Sequence, residues 1–102
     1  MIKSFVCDWN HFTMRREIGN ILAKELRWLA IETRARLGLT QKEMGERLLM
    51  SESSYSDIET GKSACGALTE ALLLDMQDDP KTVLHRVTQK IAEWYEKEMQ
   101  TA

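Results

Sequence analysis

The chain has 102 residues, 43% of them hydrophobic, which suffices for one compact core and falls short of two. Its 14 basic and 16 acidic side chains leave a formal charge of -2, which excludes a global electrostatic pull toward phosphate and makes any nucleic-acid contact a local matter. No apolar run has the length of a membrane span, and residues 1–12 carry charged and polar groups where a signal peptide needs an unbroken apolar stretch, so a cytoplasmic protein with no membrane partner is expected.

One proline, five glycines and little β-branched alternation predict an all-α chain with short connections, and no repeat or linker divides it. From near Thr13, Ile18, Leu22, Leu26, Leu29, Thr33 and Leu37 recur at three- and four-residue steps, as on one face of a long helix. Ile21, Trp28 and Ala35 mark a second face, and Gly38 suits the left-handed position beyond a helix end. Thr40-Gln41-Lys42-Glu43 has the capping-box pattern, which predicts a short helix from Gln41 to Leu48. Ser51 then caps a second short helix running through Ile58 toward Gly61.

Ala67, Leu68, Ala71, Leu72 and Leu74 predict a further buried helix. Asp79-Pro80 supplies an N-cap followed by proline at the first helical position. After it, Leu84, Val87, Ile91, Trp94, Tyr95 and Met99 describe a last, long amphipathic helix. This stripe either packs on the first helix through Ile21, Trp28 and Ile31 or forms a seam between two chains.

Two short capped helices joined by about three residues satisfy the needs of a helix-turn-helix, whose second helix stands out as a probe for the major groove. Met44, Leu48 and Ile58 are spaced to share a core, and Gly45 falls where the two helices cross closely. The run from Thr40 to Lys62, TQKEMGERLLMSESSYSDIETGK, resembles the helix-turn-helix of the lambda-repressor and Cro family, also called the xenobiotic-response-element family. The resemblance reaches from about Ile31 to Met76. It implies a five-helix lambda-repressor-like domain over residues 1–102, with the motif at 40–62, an N-terminal extension at 1–30 and a long final helix at 80–100.

By the same resemblance, Gln41 and Lys42 stand where phosphate is held, Glu52, Ser53, Ser56 and Asp57 where base edges are read, and Ser54 and Lys62 nearer the DNA backbone. Tyr55 replaces an aliphatic core residue, and Leu49 stands where glycine is usual, so the turn takes another geometry or carries strain of about 1 kcal/mol. The implied function is a sequence-specific, DNA-binding transcriptional regulator working as a homodimer on double-stranded DNA. The alternative is an antitoxin-like or phage-regulatory module whose partner is a protein, because Glu52, Asp57 and Glu59 make the reading helix acidic and no arginine is present there to read guanine.

Charge supports a local interface: residues 1–47 hold nine basic and six acidic side chains, and residues 48–102 hold five and ten. Arg34, Arg36, Lys42, Arg47 and Lys62 flank the motif as candidate phosphate contacts. Cys7, Cys65, His11 and His85 lack metal-ligand spacing and are read as inert. No nucleophile-base pair or phosphate loop appears, so neither an enzyme nor a cofactor is expected.

Overall fold

The computed structural model describes the backbone of residues 2–101 and the side chains of residues 12–100. It is all-α, with five helices: α1 (Ile2–Leu37), α2 (Gln41–Arg47), α3 (Glu52–Thr60), α4 (Ala67–Asp75) and α5 (Pro80–Thr101). The local signals act as their chemistry requires. Gly38 takes φ +66 after α1, and Gly61 takes φ +84 after α3. The Thr40 hydroxyl accepts from the Glu43 amide at 3.1 Å while the Glu43 carboxylate accepts from the Thr40 amide at 2.9 Å. The Ser51 hydroxyl accepts from the Ser54 amide at 3.1 Å, and Asp79 accepts from both the amide and the hydroxyl of Thr82 at the head of α5.

The core lies where α2, α3 and α4 meet the C-terminal half of α1. Leu26, Leu29 and Ala30 of α1 enclose Met44, Leu48, Tyr55 and Leu73. Each leucine or methionine among them contributes about 1.5–3 kcal/mol by leaving water, so this cluster dominates the stability of the fold. Thr33 is buried with them because its hydroxyl is satisfied twice: it donates to the Leu29 carbonyl at 2.6 Å and accepts from the Gln77 amide at 3.0 Å.

Three expectations require correction. α1 begins at Ile2 and not near Thr13. Leu37, predicted on its buried face, is exposed, since that face outruns the core. In α4 the inward residues are Thr69 and Leu73, four apart, with Leu72 and Leu74 half-buried, while Ala67, Leu68 and Ala71 turn out to solvent. Cys7 and His11 lie outside the described side chains, and Cys65 is a free, half-buried thiol whose ionisation burial opposes. Among the described residues, no helix is long and apolar enough to cross a membrane.

Helix α5 packs against α1 in the opposite direction, as the pairs Arg86–Glu25 and Trp94–Glu17 require. Val87 is buried there, with Ile91 and Trp94 half-buried, so this stripe does pack on α1, but of the α1 residues expected on that second face Ile21 and Ile31 are half-buried while Trp28 and Ala35 are exposed. Leu84, Tyr95 and Met99 of the same stripe remain on the surface.

Candidate nucleic-acid interface

The interface is built on the α2–α3 pair. Leu49 adopts φ +60, a left-handed conformation that costs a residue with a Cβ about 1–2 kcal/mol, so the turn carries strain and does not change geometry. Gly45 permits this turn: a Cβ there would sit 3.0 Å from the Met50 carbonyl oxygen and 3.1 Å from that of Ser51. The close approach is therefore to the backbone of the turn, where sequence spacing had placed a crossing of helices.

Glu59 fixes the orientation of α3. Its carboxylate accepts from Arg34 Nε at 2.6 Å and Nη2 at 3.1 Å, from Gln41 Nε2 at 3.0 Å, and from the Tyr55 hydroxyl. Arg27 Nε adds a bond to the Glu59 carbonyl at 2.9 Å. The Glu59 side chain is only 8% exposed. Burial pushes its carboxyl upward, but the bonds from Arg34, Tyr55 and Gln41 outweigh that and hold it below the ordinary 4.5. Burial and the bond to Glu59 push the Tyr55 phenol upward, so it stays a neutral donor. One cluster thus joins α1, α2 and α3.

This cluster alters the electrostatic reading of α3. Of its three acidic residues, Glu59 is enclosed and matched by Arg34, leaving Glu52 and Asp57 as its outward charges. Glu52, Ser53 and Ser54 are exposed on the first turn, while Ser56 and Asp57 are half-buried. The Ser54 hydroxyl accepts from that of Ser51 at 3.0 Å. Gln41 is half-buried, with one amide proton spent on Glu59. Lys42 and Lys62 are exposed and make no ion pair among the described residues. Arg47 is exposed, and Arg36 reaches Asp78 at 3.5 Å across open surface.

Sequence reasoning placed the exposed serines and lysines on candidate contact positions and missed the Arg34–Glu59–Gln41 cluster, whose members are 18 and 25 residues apart. At those separations no local spacing signals the pairing. The assembled surface offers hydroxyls and a carboxylate at the tip of α3, groups able to hydrogen-bond base edges, and exposed lysines at positions 42 and 62.

No curated protein and no solved structure matches the chain. Residues 21–75, more than half its length, match the helix-turn-helix domain family, a span that contains all of α2, α3 and α4 and the core they share with α1. The chain belongs to the helix-turn-helix domain family.

Proposed function

We propose that this protein is a sequence-specific transcriptional regulator of the lambda-repressor and Cro type, which seats α3 in the major groove and controls transcription by occlusion or recruitment. One observation carries the reading: the α3 tip of Glu52, Ser53 and Ser54 is exposed, while the rest of the helix is pinned from behind through Glu59. A rigid probe with an exposed tip suits base readout, because little ordering remains to be done on binding. Lys42 and Lys62 supply phosphate contact, and Ser53, Ser56 and the two carboxylates of Glu52 and Asp57 supply sequence choice, the carboxylates by accepting from cytosine. Gln41 assists through its remaining amide proton.

A homodimer completes the proposal, since paired half-sites call for two probes. The unpacked side of α5, with Leu84, Tyr95 and Met99 exposed, supports it.

Fluorescence titration at low salt against random and genomic duplexes tests the function. Lys42→Ala weakens binding to every sequence and flattens its salt dependence, whereas Ser53→Ala changes the ranking of sites. Identical responses to both changes would refute this division of roles. The alternative, a module that binds a protein, draws on the acidic excess beyond Leu48. A complete lack of DNA affinity at low salt selects it.

A further inference from the structure

The described carboxylates of α1 gather on one side of the helix. Glu17 accepts from the Trp94 indole at 3.1 Å, and Glu25 and Glu32 pair with Arg86 at 3.5 and 3.9 Å. Every carboxylate from Phe12 to Leu37 is therefore turned to α5. Arg36 shares their side and Lys24 borders it, but three arginines fall elsewhere. At about 100° per residue, Arg16, Asn20, Arg27 and Arg34 lie within about 40° of one line, with Lys24 beside it.

The lower part of this line is docked on α3, through Arg34 to the Glu59 carboxylate and Arg27 to the Glu59 carbonyl. The upper part continues past the end of α3 and forms one wall of a groove of about 300 Å³, whose other wall includes Ile58, Gly61 and Ser63. No acidic side chain lines this groove. Arg16 and Lys24 are exposed and make no ion pair among the described residues. Arg27 also offsets the negative end of α3, which would otherwise repel an anion.

The length of α3 gives the groove its place on DNA. Nine residues span about 13 Å, more than the roughly 8.5 Å depth of the major groove, so with its N-terminal tip at the base edges α3 leaves its C-terminal end at the groove's rim, beside the sugar-phosphate wall. We propose that the groove between α1 and the α3–α4 turn, continued by Arg16, is a cradle for the DNA phosphate backbone that extends the contact of α3 along α1. The inference rests on the DNA reading above. It explains how a chain of net charge -2 with no basic residue in α3 gathers enough local cations to hold a duplex.

The test is the double variant Arg16→Gln/Lys24→Gln, whose exposed positions leave the fold intact, as an unchanged melting temperature verifies. The expected result is a several-fold loss of affinity, equal for preferred and random duplexes. The slope of log affinity against log salt should shrink by about 0.9 for each lost contact. Unchanged affinity and slope in this variant, with Lys42→Ala still weakening binding, would overturn the cradle alone. A wild-type protein without DNA affinity would overturn the DNA reading and the cradle together. Inorganic phosphate serves as the second arm, followed by amide shifts at Ser63 and Ala64: these should respond to duplex and not to inorganic phosphate at equal phosphate concentration. Saturable binding of inorganic phosphate would assign the groove to a small phosphate-bearing effector and overturn its assignment to the backbone.

Discussion

Glu59 shows how one side chain can be both an electrostatic liability and a structural necessity. A carboxylate 8% exposed is costly to bury, yet four donated bonds from Arg34, Gln41 and Tyr55 leave it ionised. Its carboxyl sits below the ordinary 4.5, so the sign follows directly: this residue stabilises the fold fully above about pH 4.5, and the contribution is lost as pH falls through the lower folded-state value. Glu59→Gln removes the charge and strands Arg34, whose side chain is 28% exposed and partly hydrated. We expect a loss of about 2–3 kcal/mol at neutral pH, below the value for a fully buried pair because water reaches Arg34. Thermal melts between pH 3 and 7 would check this: the variant's acid-side decline should be shallower than the wild type's, with Glu43 and Asp79, also lowered by their capping bonds, sustaining a residual slope. Parallel curves for the two proteins would show that Glu59 does not titrate as described.

At the scale of elements, the turn between α2 and α3 concentrates the strain of the fold. Leu49 is 72% exposed at φ +60, so its side chain gains little from packing while its backbone bears the steric cost. Leu49→Gly relieves that cost at the price of greater freedom in the unfolded chain, for a net gain of about 1 kcal/mol and a rise of about 5 °C in melting temperature. A lower melting temperature would mean that the leucine makes contacts outweighing the strain. This turn also marks the boundary of what sequence can disclose. Caps at Thr40, Ser51 and Asp79 and the left-handed glycines at 38 and 61 are decided within four residues, so they were legible, and with them the order of the five helices. The exposure of the α3 tip was not legible in this way, because it depends on where the long terminal helices pack. The inward turn of Gln41 and the enclosure of Glu59 depend on helices brought together by the core, and no local pattern encodes that meeting. The early start of α1 was a missed local signal: Ile2, Phe5, Val6 and Trp9 stand at helical spacing, but the reading began at Thr13.

The whole molecule is elongated, with extents of 46 × 26 × 19 Å and a radius of gyration of 15.7 Å against about 13 Å for a compact domain of this length. The excess comes from α1 and α5, whose described residues pair side by side beyond the core, as the Trp94–Glu17 contact shows. Two helices bury one face apiece. Accordingly Val87 is covered, whereas Leu84, Tyr95 and Met99, at steps of eleven and four residues along one side of α5, stay in water. Pairing this side with its copy would bring four helices together about a two-fold axis, the symmetry that a paired operator demands. The dimer proposed above therefore has a specific prediction: Leu84→Lys/Met99→Lys weakens self-association about tenfold or more, while the melting temperature of the dilute protein stays the same because neither side chain supports the monomer's core. Sedimentation equilibrium measures the first and calorimetry the second. If the wild type sediments as a monomer at concentrations well above those needed for DNA binding, the α5 surface does not join two chains; each α3 would then have to find its site unaided, relying on the cations of α1 for affinity.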